Sequence, residues 1–198
     1  MNLNLVLWTD QSRRLNAIDA PLHDGFGLYR HVLSEYSTVS APLIARGESA
    51  NLELKSSFRR DIRENKQNRA LEAVVLKTLA GYMNSSGGTL LIGVADDGSI
   101  VGLDHDCKTL KKQDRDGFEP ALMTAVATKL GGDACHSVQI VFHALANKEV
   151  CRTIVAPMRR PVYLKEGDSP RRYVRTGVST RELNVQEAVN YTAEHWPK

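Results

Sequence analysis

The chain has only three cysteines among its 198 residues, Cys107, Cys135 and Cys151, and no two of them stand in a CxxC spacing. A sparse, odd set excludes a disulfide framework and points to a reducing compartment. Cys135-His136 beside the other two cysteines lacks the spacing of a structural zinc site, so small buried thiols are expected. No apolar run approaches the ~20 residues that cross a bilayer. The opening Leu3-Asn-Leu-Val-Leu-Trp8 is too short and too polar in its flanks for a signal peptide. A cytoplasmic protein that does not engage a membrane is expected. No GK[ST] follows Gly87-Gly88, and the pair lies between a predicted helix and a predicted strand, the reverse of a nucleotide loop, so these are read as turn glycines. The histidines are scattered, and no Ser/His/Asp or Cys/His pairing stands out. Internal repeats and low-complexity segments are missing too.

What is present is an ordinary apolar fraction of 42%, a charged fraction of 25% and a net charge of only +3. The sign of that charge is uneven along the chain. Residues 152–181 hold Arg152, Arg159, Arg160, Lys165, Arg171, Arg172, Arg175 and Arg181 against Glu166 and Asp168. A second run, Lys55 to Lys66, adds Arg59, Arg60 and Arg63. Local excesses of this kind point to a polyanionic partner. The plainer reading of each run is a solvated face.

The length allows one domain with a full core and an appendage. Residues 1–45 carry Pro21, Gly25, Gly27 and Pro42 between short apolar patches, and read as an N-terminal extension with a short helix over 26–36. Residues 46–198 form the domain. Leu52 and Leu54 alternate with Glu53 and Lys55, a strand pattern. Residues 68–83 read as a helix with Leu71, Val74, Val75, Thr78, Leu79 and Tyr82 on its apolar stripe. Thr89–Val94 is a continuous apolar run fit for a central strand. Asp96-Asp97-Gly98 signals a hairpin that returns through Ile100–Leu103. A helix over 117–130, strands over 138–143 and 149–155, short strands at 162–164 and 173–175, and a helix over 184–195 capped by Asn184 complete the pattern. The fold class is α+β: a mixed β-sheet of about five or six strands packed with helices.

One cluster of residues carries chemistry. Glu48, Glu53 and Lys55 lie at the head of a strand, and a neighbouring apolar strand ends in Asp96 and Asp97. If those strands pair, the carboxylates and one ammonium converge at one end of the sheet. Hard carboxylate oxygens there would hold Mg²⁺ or Mn²⁺ against a phosphodiester, and Lys55 would meet a phosphate oxygen or the leaving group. The five-residue offset between Glu48 and Glu53 demands a turn or bulge before the strand, since an unbroken strand would point them to opposite faces. The plainer reading makes Glu53–Lys55 a surface pair and Asp96-Asp97 a turn.

Three motifs taken together resemble the Schlafen-type AlbA-like domain. They are Glu48-x4-Glu53-Leu-Lys55, the run Asn84-x2-Gly87-Gly88-x-Leu-Leu-Ile-Gly93-Val94-x-Asp96-Asp97-Gly98-x-Ile100-x-Gly102, and Tyr173-x-Arg175-x-Gly177-x-Ser179-Thr180. The match covers about residues 46–185. The resemblance implies nucleic-acid binding and, in the Schlafen ribonuclease branch, metal-dependent cleavage of structured RNA such as tRNA. By motif position Glu48, Glu53 and Asp96 match that branch's acidic trio. That branch joins two such lobes in one chain, whereas this chain has room for one, so the same geometry would need a homodimer. Family zinc ligands are not evident.

The leading expectation is therefore an endoribonuclease with Glu48, Glu53 and Asp96 on Mg²⁺ or Mn²⁺ and Lys55 assisting. Arg59, Arg60, Arg159, Arg160, Arg172, Arg175, Ser179, Thr180 and Arg181 are the candidate contacts to an RNA or DNA backbone. On this reading Glu53→Ala abolishes cleavage and leaves folding largely intact. Two alternatives stand beside it: a non-catalytic DNA-, RNA- or nucleotide-binding module, and a subunit of a larger complex that docks through its N-terminal segment.

Overall fold

The computed structural model describes residues 41–167 and 169–196. The expected helix over 26–36 and most of the N-terminal extension lie outside the described residues. In chain order the elements are α1 (described over residues 41–46), β1 (Leu52–Lys55), β2 (Arg60–Asp61), β3 (Lys66–Gln67), α2 (Arg69–Met83) and β4 (Gly88–Ile92). Then follow α3 (Asp104–Cys107), α4 (Arg115–Leu130), a 3-10 helix (Gly132–Ser137), β5 (Val138–Leu145) and β6 (Lys148–Val155). The C-terminal part holds β7 (Leu164–Glu166), β8 (Ser169–Arg171), β9 (Tyr173–Thr176), β10 (Ser179–Glu182) and α5 (Val185–His195).

The α+β class and the mixed sheet are as expected. The main sheet has four strands in the order β1-β4-β6-β5, and the remaining strands form three separate two-stranded ribbons, β2–β3, β7–β8 and β9–β10. β1 runs parallel to β4, which requires the crossover that α2 provides. β4–β6 and β6–β5 are antiparallel. The β5–β6 turn places Ala146 and Asn147 at φ 49° and 58°, the paired positive φ of a hairpin turn whose twist matches its strands. Ile100 makes one bridge, to Val94, instead of the expected returning strand. The cause is local. Gly93 and Gly102 adopt φ of 96° and 83°, and the N–H groups of Val101 and Gly102 both donate to the Gly93 carbonyl, which ends extended pairing.

Each sheet face has its own core. Leu90, Ile92, Cys151 and Val155 pack against Val75, Leu79 and Met83 of α2 and Phe118, Leu122 and Val126 of α4. Leu52, Leu54, Leu91, Val94 and Val150 form the second cluster, with Leu43 of α1. Burial on both faces explains why β4 reads as a continuous apolar run. Asn68 caps α2 by accepting from Ala70 N at 2.9 Å. The buried arc of α2 is wider than the expected stripe: Leu76 and Met83 are enclosed, while Val74 stands exposed. α2 packs on the sheet with one side and on β9–β10 with another, which accounts for the extra width. A Cβ on Gly88 would come within 2.3 Å of the Tyr82 ring, so only glycine lets β4 start against α2.

Asn84, fully buried just after α2, ties the C-terminal ribbons to this body. Its Nδ2 donates to Val162 O and Tyr173 O, both at 2.8 Å, and its Oδ1 accepts from Val162 N at 2.8 Å. Its own carbonyl accepts from the Tyr191 hydroxyl of α5 at 2.7 Å. Asn184 and Glu187 cap α5 reciprocally, so the expected N-cap is in place.

His143 on β5 is buried, and its Nε2 has no hydrogen-bond partner among the described residues. Burial, helped by the nearby Arg152 charge, pushes its pKa down to about 4. The unfolded chain binds this proton near pH 6.5 and the folded chain only near pH 4. Stability attached to His143 is therefore complete above pH 6.5 and is lost as pH falls through that window. Urea unfolding is expected to show a loss of about 1–3 kcal/mol between pH 7 and pH 4, and His143→Leu should flatten that slope. An unchanged slope in the variant would remove the assignment.

Candidate nucleic-acid interface

A tight turn brings Glu48 to Glu53 and Lys55. Ser49 N donates to Leu52 O at 2.8 Å, so the chain reverses directly before β1. Glu48 is thereby carried back alongside the strand, where its Oε1 accepts from Leu54 N at 3.1 Å. Lys55 Nζ lies 2.6 Å from Glu53 Oε1 and 3.6 Å from Glu48 Oε1, and it donates to Leu54 O at 2.8 Å. Glu53 pairs in register with Leu90, so both carboxylate and lysine face the α2 side of the sheet.

The second partner of Glu53 is Arg175. Its Nη1 lies 2.8 Å from Glu53 Oε2 and 3.1 Å from Thr180 Oγ1. Nη2 donates to Ser49 O at 2.8 Å and Nε to Ala50 O at 3.2 Å. The guanidinium also lies 5.0 Å from the centre of the Tyr82 ring. Every nitrogen of this side chain is thus engaged inside the protein. Arg175 and Thr180, expected to touch nucleic acid, instead fasten β9–β10 to the edge strand β1.

Asp96 has a different setting. It is exposed, in the turn that Gly98 N closes on Ala95 O at 2.8 Å. Among the described residues no three of His, Cys, Asp and Glu gather as a group able to hold a metal ion. Both oxygens of Glu53 already face a cation, and the quartet Glu48, Glu53, Lys55 and Arg175 sums to no net charge. As arranged, this acidic pair does not fit Mg²⁺ or Mn²⁺, because a dication would have to displace Lys55.

The remaining candidate cations sort into two groups. Arg172 is buried: its Nη1 donates to Ala188 O at 2.7 Å and Thr192 Oγ1 at 2.6 Å, and its guanidinium lies 5.1–5.8 Å from the rings of Tyr163, Tyr191 and Trp196. Desolvation lowers its pKa. It pins α5 to the body and is not available to phosphate. Arg181 pairs with Glu187 at 2.6 Å, and Ser179 is exposed on β10. Arg160 grips Asp133, whose carboxyl is held below its usual range by that guanidinium. Arg159 beside it is exposed and has no partner among the described residues.

Asp106 sets the geometry of the other basic run, and nothing in the sequence marks it. Its buried carboxylate accepts from Ser57 Oγ, Phe58 N and Arg59 N at 2.8 Å each, and from Arg60 N at 3.0 Å. This cradle fixes the loop that launches β2–β3. Arg60 bonds Asn65 across that ribbon. Arg59 reaches Glu72 at 3.5 Å and lines a cleft of about 370 Å³ with Thr124, Thr128 and Lys129 of α4. Arg63 and Arg69 are exposed, and their guanidinium groups have no partner among the described residues. Arg160 lies near Gly131 just past the end of α4, so Arg59, Lys129 and Arg160 follow one another along that edge.

The burial of Glu53 and Arg175 changes what a substitution there does. Removing Glu53 strands the Arg175 guanidinium in the interior, a loss of about 3 kcal/mol or more, and removing Arg175 leaves Glu53 to Lys55 alone and takes the guanidinium donors from the Ser49 and Ala50 carbonyls. Glu53→Ala and Arg175→Ala are therefore expected to lower the unfolding midpoint strongly, while Glu48→Gln leaves it within about 1 kcal/mol. Thermal and urea unfolding of the three variants check this; a wild-type midpoint for Glu53→Ala would remove the structural role.

A sequence profile described as Schlafen, AlbA_2 matches residues 48–184. Among solved structures, the DIP2311 protein from Corynebacterium diphtheriae is similar at 22% identity and a TM-score of 0.51, over 73% of this chain and 27% of that one. The N-terminal domain of a RecG-related protein from Nitrosomonas europaea is similar at 20% identity and a TM-score of 0.41, over 78% of this chain and 92% of that one. The chain thus spans about a quarter of the DIP2311 protein's length. No curated protein sequence matches it significantly. With the profile spanning the turn before β1 through the cap of α5, the chain belongs to the Schlafen AlbA_2 family.

Proposed function

We propose that this protein is a nucleic-acid-binding module that holds the phosphate backbone along the edge formed by the β2–β3 ribbon and α4. The observation that carries this reading is the sorting of its cations. Arg172 and Arg175 are enclosed and serve the fold. Arg63, Arg69 and Arg159 are exposed, and their guanidinium groups have no partner among the described residues. Exposed guanidinium groups with no internal task suit bidentate phosphate contacts. Binding of this kind releases counterions and weakens steeply with salt. Arg63→Gln/Arg69→Gln is expected to shallow the slope of log K against log salt by about 1–2, with no change in unfolding midpoint. Anisotropy titrations of labelled RNA and DNA between 50 and 300 mM salt measure it. A slope unchanged in the double variant would place the interface elsewhere.

A second reading, a divalent-metal-dependent endoribonuclease acting on structured RNA such as tRNA, draws support from one observation. Glu48 and Glu53 converge on Lys55, as the acidic motif of the family leads one to expect. This chain's own part in it would be Lys55 releasing the two carboxylates. Incubation of tRNA with and without Mn²⁺ distinguishes the readings: the binding module leaves the RNA intact in both. A divalent-dependent product that disappears in the stably folded Glu48→Gln variant would establish the nuclease.

A further inference from the structure

We infer that the C-terminal aromatic cluster is a stacking platform for unpaired bases, so that the nucleic acid held here is single-stranded at that point. This rests on the nucleic-acid reading above and names the substrate class within it. Three rings, Tyr163, Tyr191 and Trp196, surround the buried Arg172 guanidinium at 5.8, 5.5 and 5.1 Å. His195 stacks on Tyr191 with centroids 4.9 Å apart and planes 20° from parallel, and Trp196 meets both edge-on.

The cluster is held rigid from below and open above. Trp196 Nε1 donates to Met158 O at 2.9 Å, and the Tyr191 hydroxyl donates to Asn84 O at 2.7 Å. Tyr163 nonetheless keeps 42% of its surface in solvent, and His195 is exposed. A core would have buried these rings, and a solvated face would not have gathered four aromatic groups in a chain whose Phe, Trp and Tyr total only 6%. Rigid, pre-positioned rings lose little entropy when a base stacks on them.

Charge complements the rings. Arg159 follows Met158, the residue bonded to Trp196, and it is exposed with no partner among the described residues. Lys165, two residues beyond Tyr163 on β7, is exposed as well. Arg160, the residue after Arg159, ends the basic edge that runs from Arg59 past Lys129. A strand held there by its phosphates arrives at the rings with its bases free to stack. Duplex bases, already stacked in pairs, have no face to offer them.

The test uses the full chain, with anisotropy titrations of a labelled 10-nucleotide oligo-uridine and a blunt 12-base-pair RNA duplex at one salt concentration. Tyr163→Ala is expected to weaken oligo-uridine binding about fivefold or more and to leave duplex binding unchanged. Tyr163→Phe should retain wild-type affinity, and Tyr163→Leu, which keeps apolar bulk without a ring, should not. Circular dichroism and the unfolding midpoint confirm that the variants fold; if Tyr163→Ala does not, His195→Ala carries the same comparison. Salt-dependent binding of both probes that ignores all of these substitutions overturns the platform and leaves nucleic-acid binding standing. Failure of the folded wild type to bind either probe overturns both.

Discussion

The edge of the main sheet is secured by one buried charge arrangement: the Glu53 carboxylate held between Lys55 and Arg175. β1 is an edge strand, and the chain reverses sharply just before it, with Ser49 bridged back to Leu52 through a long 3.4 Å bond to its carbonyl. Arg175 donates to the Ser49 and Ala50 carbonyls and neutralises Glu53 in the same step. A single planar guanidinium, with donors spread around its rim, can join a turn, a strand and a separate ribbon in a way that a lysine could not. The position of the β9–β10 ribbon, and through it that of α5, follows from this contact together with the Asn84 hydrogen bonds.

The same arrangement bears on function. A cluster of two carboxylates and a lysine reads as a metal site when each charge is counted as free. Inside the protein the charges already balance, and both Glu53 oxygens are taken. Among the described residues the exposed guanidinium groups without a partner, those of Arg63, Arg69 and Arg159, lie elsewhere. The division is physical: buried guanidinium groups need fixed acceptors to offset their desolvation, whereas exposed ones stay hydrated until a phosphate replaces water.

Much of this architecture is legible in the sequence. The alternation in Leu52–Lys55, the apolar run through Ile92 and the Asn184 cap each placed an element correctly, because each signal is local. The odd offset of Glu48 correctly demanded a turn before β1. Ile100–Leu103 did not become a strand, since the positive φ of two glycines decided it. Asp106, with four donors converging on it, gave no signal at all, as its partners lie 46 to 49 residues away.

The sequence by itself determined the class of the fold, the family and the uneven distribution of charge, all of which depend on residue type and short-range spacing. Only the tertiary structure decided which charges are spent internally and which face solvent. Arg172, Arg175 and Arg159 are alike on the page, and nothing local separates them. Their difference comes from what other segments bring to each: three aromatic rings, a distant carboxylate and two turn carbonyls, or solvent.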